Sequence, residues 1–444
     1  MAMAPPQPDP DLQSGLQFLR AGWYDRAEPL FRSAHGRYGD RPDILHYLAV
    51  CVSRRGGFDE AEALWRKAIA KDPNEPMLSY NLALLARRQG KLDEAAKRLR
   101  DTIRRAPAHI EARLALASIH IDQGKLMAAE RELASVVGGL EQAIEKPEGA
   151  GLKPQQARAR NMLGHVLYRL GHHAPAVEVL DMAAIDAGED AARLAHIKGD
   201  RALAVAGLGH HDEAIAEATK ALELAPQNAN LTHVLGFVLF TAGKLSEAIP
   251  VIERALAIDP GFAPALKTLA AAHAAAGKSE AAVEVLNRTL ARTPLDRDAI
   301  LQLSFLQIEA KDFAAAATTL APYLKAAPDD SRALNNQGVA MRGLKRFDEA
   351  HKALKKAARL AGDDPMVLTN LGQALVDLGR AAEARPLHEQ ALRAAPGSAL
   401  LLANYGACLA ALGETDKARE TLDAALAADP ENADALALRT KLVA

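Results

Sequence analysis

Only two cysteines, Cys51 and Cys408, occur in 444 residues, separated by most of the chain. A disulfide framework and a Cys-x-x-Cys redox or metal pair are thereby excluded, and a reducing compartment is expected. Aromatic residues make up 4% although apolar residues reach 49%. The apolar excess is mostly alanine, then leucine, which favours helix and disfavours strand. No run of about 18 apolar residues exists, so no membrane span is expected. The formal net charge is −2, which gives no electrostatic reason to expect nucleic acid or an anionic membrane as partner. The opening MAMAPPQPDP has neither the basic region nor the apolar core of a secretory leader, and a cytoplasmic location is expected. Neither a Gly-x-Ser-x-Gly elbow nor a strand followed by a Gly-rich phosphate loop is found, and no segment is left over for a catalytic domain. The chain is expected not to be an enzyme, and no cofactor or metal is expected.

What is present is a phrase. GFDEAEALWRKAIAKDP (57–73) returns as KLDEAAKRLRDTIRRAP (91–107) and as RFDEAHKALKKAARLAG (346–362). Aligned on one alanine the period is 34 residues, through Ala27, Ala61, Ala95 and Ala129, then Ala176, Ala214, Ala248, Ala282, Ala316, Ala350, Ala384 and Ala418. Twelve residues before each stands a small residue, such as Gly15, Ala49, Gly164, Ser304 and Gly338. Twelve residues after, eight of the twelve periods have proline, and the other four have Gly39, Glu141, Gly188 and Gly362. Each period holds two helices of about 12–14 residues and two short turns. The small site and the alanine let the two helices approach closely. Glycine in the middle turn, as in RQGKLDEA, ends the first helix. Asp59, Asp93, Ser246 and Asp348 are expected to cap the second, and proline stops it.

A period of 34 with small residue, alanine and proline at these offsets resembles the tetratricopeptide repeat over about 95% of the chain. The resemblance implies an all-α, right-handed superhelical α-solenoid of tandem antiparallel helix pairs. One pair cannot bury its apolar face alone, so the phrase must recur. The expected layout is a disordered tail at 1–8, four repeats over 9–137, an insertion at 138–156, eight repeats over 157–432 and a capping helix at 433–444. The insertion adds 13 residues, either as a loop or, through LEQAIEK, as a longer preceding helix. A second interruption adds four residues near Asp190–Leu194. Either is a tolerated insertion, or a hinge or docking surface.

In this family the first helices line a concave groove, where ligands usually lie. Four of the first five periods place arginine at one equivalent point: Arg20, Arg54, Arg88 and Arg169, with Arg87 beside them and Asp122 interrupting. These are solvated charge or a strip for an acidic partner segment. Phe237 with Phe240, and Phe305 with Ile308, are spaced one helical turn apart, with Ala271 and Ala274 at the equivalent points between. They are core residues or the walls of an apolar pocket. Asn81, Asn336, Asn370 and Asn404 share a position two residues before the small site. That row resembles, in part, the asparagine ladder of O-linked N-acetylglucosamine transferases, in which amides grip peptide backbone. The family's carboxylate clamp for chaperone tails is not matched, because its lysine sites hold residues such as His46, Tyr80 and Thr369. The RNA-reading pentatricopeptide family differs in period and marks.

The pairs His172–His173 and His210–His211 bring zinc or nickel to mind. His173 and His211, however, occupy a turn site held elsewhere by Tyr24, Phe58 or Leu92, and so read as packing residues, as do His120 and His273. The function expected is a protein-interaction scaffold binding an extended peptide or a partner domain in its groove. The alternatives are a substrate-presenting subunit for a separate enzyme, such as a peptide glycosyltransferase, and a self-assembling solenoid.

Overall fold

The computed structural model describes residues 9–442, which form 25 α-helices and one short 3-10 turn, with no strand among them. The tail expected over 1–8 lies outside the described residues. The chain divides into two compact units, Met1–Gly243 and Lys244–Ala444. Within each, successive helices pack as antiparallel pairs and each pair packs on the next, an α-solenoid of helix pairs.

The shared alanine lies on the buried face of every second helix. Every one of the aligned alanines, Ala27 through Ala418, is wholly buried. The small residue on the facing helix leaves room for a longer side chain four positions after the alanine. A Cβ added at Gly15, Gly164, Gly338 or Gly406 would collide with Phe31, Leu180, Leu354 or Leu422. This third mark, also buried as Trp65, Leu99, Leu133 and Leu320, was missed in the sequence although it keeps the same period. His388 takes the leucine's place in one pair and contacts the Thr369 hydroxyl through Nδ1 at 3.0 Å. Burial pushes its imidazole down to about 4, so it packs there as a neutral ring.

The turns explain where helices stop. Helix Pro42–Arg54 closes with Gly56 at φ +91° while the N–H of Gly57 returns to the carbonyl of Val52 at 3.0 Å, the Schellman arrangement. Gly57 is also the N-cap of the next helix, Phe58–Lys71, and offers it no side chain. This corrects the capping expected from sequence. Asp59, Asp93 and Asp348 are not caps; they lie inside the first turn of helices that start at Phe58, Leu92 and Phe347. There the two carboxylates of the first pair of these helices, like that of the third, oppose the positive end of the helix dipole. Ser246 likewise follows the first helical residue, Leu245. Side-chain caps belong mainly to first helices, as with Asp9, Asn228, Asp330 and Asp364.

Second helices end in two ways. Before a proline such as Pro73 the preceding residue is extended, Asp72 having φ −133° and ψ 84°, as the proline ring demands. Where proline is missing, Gly39, Gly188 and Gly362 take φ of +67°, +58° and +63°, which a residue with a Cβ resists. At Glu141 neither device is present, and the helix runs on from Leu126 to Ile144. A 3-10 turn at Pro147–Leu152 then leads into helix Lys153–Arg169. This helix has 17 residues, as has Ala191–Gly207 after the second interruption, where most first helices have 13. Both insertions thus add helix to first helices, and LEQAI continues its helix rather than forming a loop.

Lys311 and Lys345 occupy the left-handed turn position that glycine holds in other periods, at φ 59° and 60°. Lys311→Gly and Lys345→Gly are expected to stabilise the chain by about 0.5–1 kcal/mol each in chemical denaturation, since the relieved Cβ strain exceeds the added chain entropy. Ala316→Leu, at a wholly buried position, is expected to cost about 1–3 kcal/mol in the same assay. A neutral result there would place the helix contact elsewhere.

Candidate functional site

Three hollows open between successive first helices, and each includes the same two places, held by Asp43 and His46, by Arg158 and Asn161, and by Arg332 and Asn335. One, of about 500 Å³, lies between Pro42–Arg54 and Pro76–Arg88, with Asp43, His46, Tyr47, Glu75 and Met77 among its lining. The Trp65 Nε1–H donates to His46 Nδ1 at 3.2 Å. An indole nitrogen only donates, so Nδ1 carries the lone pair and the neutral ring has its proton on Nε2. Burial lowers the His46 pKa, against the pull of Glu75 and Asp43 in the other direction. The Tyr47 ring stacks on Phe31 at 5.4 Å between centroids. Arg41 holds the Asp43 carboxylate through two bonds of 2.7 and 3.2 Å, and Glu75 accepts from the Met77 N–H. The hollow is therefore acidic, with one neutral imidazole.

A second, of about 250 Å³, lies between the lengthened helices Lys153–Arg169 and Ala191–Gly207. Ala157, Met162 and Ile197 give it hydrocarbon walls, and Arg158, Arg193 and His196 stand around them. Both guanidiniums are paired, Arg158 with Glu111 at 3.0 Å and Arg193 with Asp190 at 3.3 Å. Asn161 donates to Asp200 at 2.8 Å, and the other oxygen of Asp200 meets His165 Nδ1 at 3.0 Å.

The third, about 330 Å³, joins helices Arg297–Glu309 and Ser331–Gly343 and reaches Met366 on Pro365–Asp377. Here Phe305, 53% exposed, stands with Gln302, Arg332, Asn335 and Asn336. The Asn336 amide donates to the Ser304 hydroxyl at 3.0 Å, and Asn370 donates to Asn335 Oδ1 at 2.9 Å.

The site residues picked from sequence are scattered by this geometry. Phe305 and Asn336 come together; Ile308 does not line their hollow. Phe237 and Phe240 belong to the first unit and Phe305 and Ile308 to the second. Phe237 is half-buried, its ring 6.2 Å from that of His233. Among the asparagines, Asn81 bonds back to the Met77 carbonyl of its own helix at 2.8 Å, and the Asn404 carbonyl accepts from Gln373 at 2.9 Å. The arginines diverge too. Arg54 lies over the Tyr24 ring at 5.4 Å, Arg88 reaches Ser53 at 3.4 Å, and Arg87 pairs with Asp122 at 2.8 Å. Arg20 and Arg169 end their helices exposed. Arg20, Arg54, Arg88 and Arg169 make no ion pair among the described residues.

Burial pushes the Cys51 thiol up to about 12 and that of Cys408 to about 11, so neither supplies a thiolate near neutral pH. Among the described residues no group of three His, Cys, Asp or Glu side chains could hold a metal ion, and no helix is long and apolar enough to cross a membrane. His173 packs its ring against Gly207 of the next first helix.

Sequence reasoning missed Asp43, His46, Asn161, Arg193, Arg332 and Asn335. A periodic signal was available, because the hollows share one register and two of them repeat arginine and asparagine at it, Arg158 with Asn161 and Arg332 with Asn335, whereas the first has Asp43 and His46 there.

A model of the tetratricopeptide repeat matches residues 18–87, 86–139, 206–272, 239–299, 273–336 and 375–442. No curated protein matches the chain. Among solved structures, a chain of the APC/C hetero-tetramer Cut9–Hcn1 is similar at 15% identity and a TM-score of 0.50, over 97% of this chain and 95% of that one. Yeast Tom70 is similar at 15% identity and a TM-score of 0.46, over 91% and 96%. A tetratricopeptide repeat protein from Parabacteroides merdae is similar at 18% identity and 0.47, over 57% of this chain and all of that one. At such identity the first of these likenesses speaks for the fold alone.

The amides of Asn336 and Asn370 tie neighbouring first helices, whereas that of Asn81 stays on its own helix. Asn336→Ala and Asn370→Ala are expected to cost about 0.5–1.5 kcal/mol each, read by chemical denaturation. Asn81→Ala is expected to stay within about 0.5 kcal/mol of the parent. Equal costs for all three would remove the ties.

Proposed function

This chain belongs to the tetratricopeptide repeat family, and on that premise we propose that it is a non-catalytic scaffold that holds an extended segment of a partner protein along its first helices. The observation that carries the reading is the third hollow. An aromatic ring more than half exposed is costly to leave in water, and burying it against a partner recovers roughly 25 cal/mol per Å² of apolar surface. Beside it stand Gln302, Asn335 and Asn336. An amide side chain both donates and accepts, as a peptide backbone does, so it bonds an extended segment whatever side chains that segment bears. Phe305 would take an apolar side chain and the amides the backbone next to it.

The acidic and hydrocarbon hollows extend the same logic within the first unit. Each offers one chemistry at an equivalent register, so a segment lying along the first helices is tested by basic groups at one step and by apolar groups at another. The exposed guanidiniums of Arg20, Arg88 and Arg169 favour acidic residues in the partner, as long as salt does not screen them beyond about 8–10 Å.

The test places a photo-reactive benzophenone side chain at position 305 of the full chain, and in a parallel sample at Ile185, which is 78% exposed on a second helix. Cross-linking to a defined partner peptide is expected at 305 and not at 185. Phe305→Ser is expected to weaken capture of that partner about tenfold with helicity unchanged, since the ring is exposed. Equal cross-linking at both positions, or capture untouched by Phe305→Ser, overturns the reading.

A further inference from the structure

The turn that joins the first two helices, Pro10–Arg20 and Tyr24–Tyr38, meets the end of helix Pro42–Arg54 around a separate hollow of about 540 Å³. Its lining is Trp23, Tyr24, Asp25, Arg26, Arg54 and Arg55 with Gly22. Two of its three guanidiniums lie over aromatic rings, Arg26 at 4.9 Å from the Trp23 ring centre and Arg54 at 5.4 Å from that of Tyr24. Neither makes an ion pair among the described residues. Arg55 differs, being bonded to Glu28 at 3.1 Å and facing Glu60 at 3.5 Å. Trp23 is 52% exposed.

We propose that this hollow binds a phosphate monoester borne on a partner protein, a phosphorylated serine or threonine. The ring beneath each of these two arginines attracts its cation while leaving its N–H groups unused, up to five on each. Cations paired with carboxylates would have to break those pairs to bind an anion; Arg26 and Arg54 have none to break. The choice of phosphate over carboxylate follows from Asp25. Its charge lines the same hollow and offsets much of what a single carboxylate would gain. A phosphate brings a charge of about −1.5 to −2 and three acceptor oxygens, enough to engage both guanidiniums in charge-assisted bonds and still outweigh Asp25.

The same turn in the next period shows what is particular here. Gly57 stands where Trp23 does, Phe58 where Tyr24 does, and Glu60 where Arg26 does, with Arg88 in the place of Arg54. Arg88 reaches Ser53 instead of an aromatic ring. The arginine over the tryptophan is replaced by an acid, so the next turn lacks the site. The proposal stands apart from the Phe305 hollow, and either can fail without the other.

The test uses the full chain and a fluorescently labelled glycine–alanine peptide with one central phosphoserine, read by anisotropy at low and at physiological salt. Its serine and glutamate counterparts and inorganic phosphate are the comparison arms. The phosphopeptide is expected to bind at least about tenfold more tightly than either counterpart, and more weakly as salt rises. Arg26→Ser with Arg54→Ser is expected to abolish that preference, Asp25→Asn to strengthen binding, and Phe305→Ser to leave it unchanged. Circular dichroism melts of the double variant are expected to match the parent, since both arginines are exposed. Arg26→Lys with Arg54→Lys, which keeps the charge and loses the planar fork, is expected to retain only part of the affinity. The proposal is overturned if the phosphopeptide binds no better than the serine peptide, or if glutamate serves equally. It is also overturned if free phosphate binds as tightly as the peptide, or if the double serine variant binds like the parent.

Discussion

Everything in this chain depends on how closely two helices can approach at one alanine. The aligned alanines are wholly buried, and in the pairs that lie within one unit the first helix opposite them carries a residue with little or no side chain. A longer residue four positions on lies across that gap, as Leu354 does over Gly338. The contact needs all three: a larger residue at either small site overpacks it, and a smaller one in the third place leaves a void. Protein interiors are close-packed, so neither error relaxes freely. With the contact made, the pair presents one apolar face to the next pair, and the solenoid follows from repetition.

The turns show a second economy, in which one residue serves two helices. Gly57 ends one helix through its N–H and begins the next as its N-cap. At that turn the cap position offers no side chain, and Asp59, one residue inside the helix, acts through charge and not through capping; where the cap position holds an acid, as Asp312 does, it bonds the Ala315 N–H. The ends of second helices are less demanding, and proline or a left-handed glycine suffices. Where Glu141 supplies neither, the helix continues until the Pro147 turn. The insertion follows from the loss of a stop signal, and the first helix after it begins about a turn early, at Lys153.

How much of this was legible in the sequence follows from distance along the chain. The period, the helix pairs and the buried alanines were legible because each mark acts within its own 34 residues. The groove was less so. Arg54 and Arg88 share a register position, yet one side chain ends on Tyr24 and the other on Ser53. Register places a Cα, and the end of a long flexible side chain is then decided by whichever neighbour offers a ring, a hydroxyl or an acid. The asparagines teach the same lesson. Asn370 bonds to Asn335 and Asn336 to Ser304, partners about one period earlier, which no pattern within a single helix reveals. Tyr47, at the position that the asparagines hold in other periods, lines a hollow instead.

The hollows then explain why a chain so regular can be specific. The residues that make the helix contact all point inward and none meets a partner, so they fix the scaffold and say nothing of what it binds. The residues at the hollows carry the opposite freedom. Asp43 and His46, Arg158 and Asn161, Arg332 and Asn335 occupy matching places, and no helix contact restricts them to one type. Exchanging such exposed residues changes stability little while changing the sign, polarity or shape offered to a partner. Electrostatic and apolar mismatches are what exclude wrong partners, so specificity in this chain accumulates from positions that the fold leaves open. Arg26 and Arg54, each over its own aromatic ring, are the extreme case. It arises where the repeat's own phrase lapses, with Trp23 in the place of a turn residue and arginine in the place of the acid that the next period keeps.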